Sequence, residues 1–310
     1  MPTMLTDVFR GHPIHLPHSH QPDFTSLPEL PDSYTWTSKD DPLFTAPLSP
    51  QAAVENIPLI DLNHPDAANQ IGHACRTWGA FQIANHGVPL ELLQGIEFLT
   101  GSLFQLPVQR KLKAASDIVE QYEEQMQKLA SKLMWLSLKS LGVSEEDIKW
   151  ATVSSDLNWA QSALQLNHYP VCPEPDRAMG LAPHTDSTLL TILYQNNTAG
   201  LQVFRDDLGW VTVPPVPGSL VVNVGDLFHI LSNGLFKSVI HRARVNQTRS
   251  RLSVAFLWGP RSDTKISPVP KLVSPDESPL YRSVTWTEYL RTKATHFNKA
   301  LSMIRNHREE

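Results

Sequence analysis

The residue pattern with the clearest chemical meaning is a pair of histidines and an aspartate in the second half of the chain. His184 and Asp186 are two positions apart, so in a strand their side chains project from the same face. His241 lies 55 positions after Asp186, inside the predicted β run 239–245. Two imidazoles and one carboxylate on one face of a metal ion form the facial triad of non-haem Fe(II) oxygenases, which leaves positions open for a co-substrate and O2. We therefore predict that His184, Asp186 and His241 are metal ligands.

A His-x-Asp pair alone is a weak signal, because the chain has 13 histidines and about one such pair is expected by chance. His64-Pro65-Asp66 is a second example. Asp66 lies where a helix is predicted to begin, and an acidic residue in the first turn is favoured there by the helix dipole. The metal prediction therefore needs independent support.

That support comes from Arg251 and Ser253, which follow His241 by ten and twelve residues. In a strand these two side chains share a face, and an inward arginine in an apolar strand is costly unless it meets an anion. A guanidinium binds a carboxylate through two parallel hydrogen bonds, and the serine hydroxyl adds a further donor. A structural ion pair with an Asp or Glu is the alternative. Together with the metal ligands, Arg251 and Ser253 predict a dicarboxylate that is held by the metal at one end and by the guanidinium at the other.

The elements that must position these residues are short strands. From about residue 164 the chain alternates apolar runs with turns and has no helical pattern between them, which favours an antiparallel sandwich or barrel over a parallel sheet. The predicted strands are 188–194, 201–204, 210–213, 220–224, 239–245 and 252–258.

The first half of the chain is mainly helical in pattern. Residues 1–50 are rich in Pro, His, Ser and Asp, and they predict an irregular arm. Strands are predicted near 57–62 and 81–83, and helices over 66–78, 90–104 and 117–141, with a last helix that Thr285 caps. We expect an arm over 1–56, a mainly helical region over 57–160, and a catalytic β-rich core with a C-terminal helix over 161–310.

Composition excludes several classes of protein. The chain of 310 residues has 26 Lys and Arg against 31 Asp and Glu, a formal charge of -5, so a basic nucleic-acid surface is not expected. There is no apolar run of membrane-spanning length and no secretory signal. The two cysteines, Cys75 and Cys172, cannot build a disulfide framework. We expect a soluble cytoplasmic protein without nucleic-acid or membrane partners.

Several motifs occur together in an order that is typical of one family. They are Asn167-His168-Tyr169-Pro170, Pro183-His184-Thr185-Asp186, the stretch from Gly218 to Asp226, His241-Arg242-Ala243 through Arg251-Leu252-Ser253, and the run from Trp78 to Gly87. Over nearly its whole length the chain resembles plant 2-oxoglutarate- and Fe(II)-dependent dioxygenases. The resemblance implies an α+β fold with a double-stranded β-helix core (a jelly roll, cupin-like) flanked by α-helices.

The resemblance also implies roles for individual residues. His184, Asp186 and His241 would bind Fe(II), and Arg251 and Ser253 would bind the distal carboxylate of 2-oxoglutarate. Tyr169 matches a motif tyrosine that helps to hold the co-substrate, although a buried structural tyrosine is an equal alternative from the residues alone.

The implied reaction is the hydroxylation of an unactivated C–H bond. Fe(II), 2-oxoglutarate and O2 would take part, with ascorbate as reductant and with succinate and CO2 as co-products. Residues 1–36 and the C-terminal half are most similar to the branch of the family that hydroxylates gibberellins at C3. The resemblance therefore implies a small-molecule substrate, a gibberellin-type diterpenoid acid.

The chain departs from its family before the long central helix. In relatives several dozen residues follow the helix that ends at Leu106-Pro107, whereas here only Ala114-Ala115-Ser116 separate Lys113 from Asp117. The resemblance implies that the lost segment carries strands and part of the substrate pocket. We expect an exposed strand edge, an opened site wall, and a protein that binds iron and 2-oxoglutarate yet hydroxylates weakly.

Three alternatives remain open from the sequence. The first is a sibling dioxygenase that acts on another gibberellin carbon or on a flavonoid. The second is a shortened, non-catalytic relative that only binds metal or ligand. The third is a zinc hydrolase, since Zn²⁺ also accepts two histidines and a carboxylate, but Arg251 and Ser253 would then have no role.

Overall fold

The computed structural model of the chain describes residues 29, 30, 35, 56–105, 116–151 and 157–306. The predicted arm over 1–56 and the shortened junction, most of which falls within 106–115, lie almost wholly outside the described residues. Among the helices that are described, none is both long enough and apolar enough to cross a lipid bilayer.

Six helices are described. They are α1 (Ala67–Thr77), α2 (Leu90–Gln105), α3 (Ser116–Lys139), α4 (Asp226–Leu231), α5 (Trp286–His296) and α6 (Ala300–Met303). Short 3-10 turns cover Glu145–Asp147, Pro270–Leu272 and Phe297–Lys299. The described strands are β1 (Leu59–Asp61), β2 (Ala80–Ala84), β3 (Ala160–Tyr169), β4 (Leu181–His184), β5 (Leu190–Gln195), β6 (Leu201–Arg205), β7 (Gly209–Thr212), β8 (Leu220–Val224), β9 (His241–Ala243), β10 (Arg251–Pro260), β11 (Lys265–Ile266) and β12 (Val284–Thr285).

Two sheets form the centre of the molecule. The larger has the order β1-β2-β8-β5-β10-β3, and the smaller has the order β4-β9-β6-β7. One cavity is lined by side chains from both sheets, so their inner faces oppose each other. This arrangement, with helices outside it, confirms the predicted α+β jelly-roll class.

The burial of β5 shows why this part of the chain reads as a continuous apolar run. All six residues from Leu190 to Gln195 are buried. Alternate side chains point to opposite faces of a strand. One face of β5 contributes Thr191 and Leu193 to the cavity between the sheets, while Ile192 and Tyr194 belong to the core shared with the helices.

The long helix α3 supports the outer face of the large sheet. Its buried residues recur at steps of three and four, as one face of a helix requires: Tyr122, Met126, Leu129, Leu133. Both α1 and α2 contact it, and it also contacts β5 and β10. The helical half of the chain therefore braces the strands that carry the predicted co-substrate residues.

Four elements differ from the sequence prediction. The six-residue helix α4 and the four-residue strand β4 were not predicted, and β3 begins at Ala160, earlier than the expected change at about 164. Four of the six residues of α4 are buried hydrophobics (Leu227, Phe228, Ile230, Leu231), so the segment has no polar face to reveal its period. The predicted run 239–245 is shorter, because only His241–Ala243 pair as a strand.

The N-terminal strands join the large sheet. β1 pairs with β2 in parallel, and β2 pairs with β8 in antiparallel orientation. β1 lies at the sheet edge, where Pro58, which has no N–H to donate to a sheet ladder, is tolerated just before the strand. The boundary between a helical region ending at residue 160 and a catalytic core beginning at residue 161 stays a prediction.

At the opposite edge lies β3. Among the described residues β3 pairs with β10 alone, over all ten of its residues, and its other edge has no strand partner.

Candidate active site

The structure brings the three predicted metal ligands together. His184 is the last residue of β4, and His241 is the first residue of the neighbouring β9 and its register partner. Asp186 Oδ1 lies 3.7 Å from His184 Nε2 and 3.7 Å from His241 Nε2. One ligand atom of each residue lies within 4.8 Å of the other two. Residues far apart in sequence thus present two imidazoles and a carboxylate to one point.

Backbone hydrogen bonds orient both imidazoles. His184 Nδ1 is 2.8 Å from the carbonyl oxygen of Ala182, and His241 Nδ1 is 3.2 Å from that of Val239. A carbonyl oxygen only accepts, so each Nδ1 carries the proton and donates it. The Nε2 lone pairs therefore face Asp186, which is the arrangement that a metal ligand needs.

The protonation states also suit a metal. Burial lowers the pKa of His184 to about 4, and the positive charge that His241 can carry adds to this effect, so His184 is neutral near pH 7. Burial alone would raise the pKa of Asp186, but His241, His184 and a hydrogen bond from Thr191 outweigh it and keep that pKa below its usual value. The neutral imidazole of His184 and the ionised carboxylate of Asp186 are in the form in which these groups bind divalent cations.

Asp186 has an unused acceptor. Its Oδ2 is buried and has no hydrogen-bond partner. A buried carboxylate oxygen without a donor is costly, and a cation at this position would remove that cost. The donor set and the orphaned oxygen both fit an Fe(II) ion held by His184, Asp186 and His241.

Arg251 lies at the other end of the cavity. It is 1% exposed, and among the described residues no carboxylate lies within ion-pair distance of it. Its Nη2 donates to Gln195 Oε1 at 3.0 Å, its Nη1 makes a long contact of 3.4 Å with Ser253 Oγ, and its Nε has no partner. Burial lowers the pKa of Arg251, which reflects the cost of this isolated charge. No acidic residue in the described part of the chain forms the structural ion pair that the sequence left open, so none of these residues competes with an anion for the guanidinium.

Strand register places the remaining co-substrate candidates beside Arg251. Arg251 on β10 pairs with Tyr169 on β3, and Ser253 pairs with Asn167. The guanidinium lies 5.2 Å from the centre of the Tyr169 ring. Burial raises the pKa of Tyr169 although Arg251 opposes the shift, so the phenol keeps its proton and can donate a hydrogen bond. Tyr169, Arg251 and Ser253 thus form a cluster of donors without an internal acid.

The sequence did not single out Gln195 and Gly200, which set the position of the guanidinium. Gln195 on β5 supplies the one carbonyl that accepts from Arg251, and its own Nε2 has no partner. A Cβ atom added to Gly200 would lie 2.6 Å from Arg251 Cδ and 2.8 Å from the carbonyl oxygen of Arg244. Neither residue has a local sequence signal, because each acts through a contact with a distant strand.

The second His-x-Asp pair is structural. His64 Nδ1 accepts a hydrogen bond from the Asp66 backbone N–H at 3.1 Å, and the pair lies where α1 begins. Within the described ranges, His184, Asp186 and His241 form the one cluster that could hold a metal ion.

The iron end of the cavity opens toward solvent. The His184 side chain is 31% exposed and Leu181, which also lines the cavity, is 37% exposed. Among the described strands the outer edge of β3 has no partner, and the loss of a pocket wall stays a prediction.

Two family models match the chain. Residues 160–260 match the 2OG-Fe(II) oxygenase superfamily, and residues 57–161 match the model described as non-haem dioxygenase in morphine synthesis N-terminal. These two matches cover most of the described residues.

Curated relatives and solved structures agree with these matches. The chain is 76% identical to gibberellin 3-beta-dioxygenase 1 and 60% identical to gibberellin 3-beta-dioxygenase 2, both of Arabidopsis thaliana, with 100% and 99% of this chain and 100% of each relative covered. Among solved structures it is similar to the crystal structure of JOX2 in complex with 2OG, Fe and JA, with a TM-score of 0.77 and a sequence identity of 30%. The match covers 91% of this chain and 95% of that chain.

The first of these alignments is longer than this chain. It runs over 358 positions, whereas this chain has 310 residues, so at least 48 aligned positions have no residue here. The rest of the chain keeps the residues that build both ends of the cavity. On the combined strength of the family matches, the relatives and the site geometry, this chain belongs to the 2OG-Fe(II) oxygenase superfamily.

Proposed function

We propose that this chain hydroxylates a gibberellin-type diterpenoid acid at C3, with Fe(II), 2-oxoglutarate and O2. The substrate class is supported by the 76% identity to gibberellin 3-beta-dioxygenase 1 of Arabidopsis thaliana over the whole of both chains. The observation that carries the chemistry is the cavity between the sheets, where three metal-ligand side chains face a buried arginine that has no acidic partner among the described residues.

The proposed roles divide between the two ends of this cavity. His184, Asp186 and His241 hold Fe(II), and Arg251 and Ser253 bind the distal carboxylate of 2-oxoglutarate, with Tyr169 as a further donor. When bound, the iron supplies the oxidising chemistry that converts C–H to C–OH, while 2-oxoglutarate yields succinate and CO2. No side-chain acid or base can activate such a bond.

The residues of this chain orient the co-substrate, supply its opposite charge and exclude water from the cavity. The dicarboxylate neutralises the buried Arg251 charge, and the forked guanidinium fixes the direction in which its other end points. Apolar residues of the inner sheet faces, among them Leu193, Leu201 and Leu257, line the space between the two ends and keep water out of it.

Anaerobic reconstitution tests this proposal in two stages. The protein is first loaded with Fe(II) and 2-oxoglutarate, and the absorption band of the Fe(II)–keto-acid chelate is recorded. Air and a gibberellin that lacks the C3 hydroxyl are then added, and the product and succinate are measured by mass spectrometry. We expect the chelate band and a C3-hydroxylated product, and hydroxylation at another carbon or of a flavonoid would instead support a sibling enzyme.

The shortened junction makes the ratio of these products informative. If the missing 48 positions leave the substrate loosely held, succinate will form in excess over the hydroxylated gibberellin. Full coupling of succinate to product would overturn the expectation of an impaired pocket. A chelate band with neither succinate nor product would favour the non-catalytic relative.

A further inference from the structure

A buried carboxylate lies behind the metal ligands. Asp226, the first residue of α4, is 0% exposed, and both of its oxygens accept hydrogen bonds. Oδ1 accepts from Ser238 Oγ at 2.6 Å. Oδ2 accepts from Tyr289 OH at 2.7 Å, from Thr185 Oγ1 at 3.1 Å and from the Lys293 ammonium.

The partners of Asp226 belong to the segments that carry the metal ligands. Thr185 lies between two of them, and the Asp226 backbone N–H donates to the carbonyl oxygen of Asp186 at 2.8 Å. Ser238 lies three residues before His241. The Asp226 side chain thus joins two segments that are distant in sequence and that carry ligands for the same metal ion.

The other two partners come from the C-terminal helix α5, outside both sheets. Tyr289 and Lys293 lie one turn apart on this helix, and the Lys293 side chain is 14% exposed. A buried carboxylate is costly unless it is paired and hydrogen-bonded, and Lys293 supplies the opposite charge. Lys293 also donates to Thr185 Oγ1, so helix α5 holds the ligand loop directly as well as through Asp226.

Close backbone packing keeps Asp226 in this position. A Cβ atom added to Gly225 would lie 2.2 Å from the carbonyl oxygen of Thr188. The Gly225 N–H donates to Leu189 O at 2.9 Å, and the Leu227 N–H donates to Thr188 O at 3.0 Å. The start of α4 is therefore fastened to the loop that follows Asp186.

We propose that Asp226, together with Lys293, is a positioning residue for the iron site. It holds the Thr185 loop and the segment before His241 at the separation that brings the three ligands to one metal ion. The inference rests on the proposed role of those ligands, and it adds that helix α5, which supplies no ligand, sets the metal affinity of the site.

Four variants of the full chain separate positioning from stability. Asp226→Asn and Lys293→Met each leave one buried charge unpaired, whereas the double variant removes both charges. Thr185→Val cuts the link to the ligand loop and leaves the Asp226–Lys293 pair intact. Thr287→Val is the matched control, because Thr287 lies on the same helix but its hydroxyl donates to Ser262 O at 3.1 Å, away from the ligands.

The readouts are anaerobic Fe(II) affinity, Mn(II) affinity, the Fe(II)–keto-acid band and the thermal transition of the metal-free protein. We expect Asp226→Asn to weaken metal binding by about 10- to 100-fold, the range for residues that orient metal ligands. Thr185→Val should weaken it by a smaller factor with little change in the metal-free transition. The double variant should recover thermal stability relative to the single variants without recovering metal affinity.

Two results would overturn the inference. One is a metal affinity that stays at the wild-type level in Thr185→Val and in the double variant, since Asp226 would then only stabilise the fold. The other is a double variant that regains both stability and affinity. If Asp226→Asn does not fold, Thr185→Val still decides the question. A wild-type protein that binds no Fe(II) would instead show that the proposed function itself has failed.

Discussion

The two ends of the cavity are built from different kinds of backbone. The co-substrate end (Tyr169, Arg251 and Ser253) lies on β3 and β10, which pair without interruption over ten residues each. At the iron end (His184, Asp186 and His241), His184 ends β4, His241 begins β9, and Asp186 lies in the loop that follows β4. These two strands are four and three residues long and have a register shift between their two paired positions. A long ladder fixes side-chain directions by register alone, whereas short strands leave the ligands to be held by hydrogen bonds from other elements.

Substitutions are therefore expected to act differently at the two ends. At the co-substrate end a substitution changes one donor and leaves the backbone in place. At the iron end, removal of one of these hydrogen bonds frees a loop that carries a metal ligand. The expected effects of substitution, from the largest to the smallest, test this difference.

The largest effect is expected from the metal ligands. His241→Ala removes one of three protein ligands, and its loss should cost more than the ~10- to 100-fold that outer partners of a ligand contribute. Product formation should fall below detection, and the Fe(II)–keto-acid band should disappear. His64→Ala is the control, because it alters the other His-x-Asp pair, and an equal loss in this variant would contradict the assignment.

The next largest effect is expected from Arg251→Lys. The forked geometry is lost while the charge remains, and hydrogen bonds to charged groups contribute ~1.5–3 kcal/mol. The KM for 2-oxoglutarate should rise about tenfold or more, with metal affinity nearly unchanged. Arg261→Lys, at a side chain that is 57% exposed, is the matched control. Equal losses of metal and co-substrate binding in Arg251→Lys would show that the two ends are not separate.

A smaller effect is expected from Gln195→Glu. The new carboxylate would lie where Gln195 Oε1 now accepts from Arg251, and it would compete with the co-substrate for the guanidinium. A competing interaction of about 1 kcal/mol raises the KM for 2-oxoglutarate about fivefold. Steady-state kinetics against Gln121→Glu, which adds the same charge on the exposed side of α3, would measure this. An unchanged KM would mean that Gln195 does not set the charge of the co-substrate end.

The smallest effect concerns acid stability behind the iron end. Burial lowers the pKa of His229 on α4 below 6.5, although a hydrogen bond to Phe236 O at 2.6 Å opposes the shift. Between the two pKa values the unfolded chain binds more protons, so the contribution of His229 to stability is complete above about pH 6.5 and is lost as the pH falls toward the folded value. The thermal transition of the metal-free protein should drop by about a few degrees over this interval. His229→Gln should make this dependence shallower without abolishing it, because burial also lowers the pKa of His184, to about 4. An equally steep curve would assign the whole dependence to other groups.

Much of this site could be predicted from sequence because its signals are local. The two-residue spacing of Arg251 with Ser253 places both side chains on one face of β10. Asp186 lies in the loop after β4 and not in the expected strand, yet it still reaches the two histidines because it follows His184 by only two residues. Tyr169 came from the family resemblance, and the register with Arg251 supports its place.

What the sequence did not indicate depends on contacts between distant segments. Asp226 is separated from Thr185 by 41 residues and from Lys293 by 67. Gln195 is 56 residues from Arg251. No period or spacing reports such pairs, because an isolated Asp or Gln is equally compatible with an exposed surface. The short helix α4 was missed for the related reason that five of its six residues are buried, so its burial shows no helical period.

The carbonyl groups of Ala182 and Val239 limit how amino-acid substitutions can alter this metal centre. Each lies two residues before the histidine that it contacts, so the same local contact occurs twice. Because the main chain supplies the acceptor, replacement of neighbouring side chains cannot redirect the ring proton. Substitutions in the surrounding pocket therefore leave Nε2 of both histidines as the nitrogen that is available to the metal.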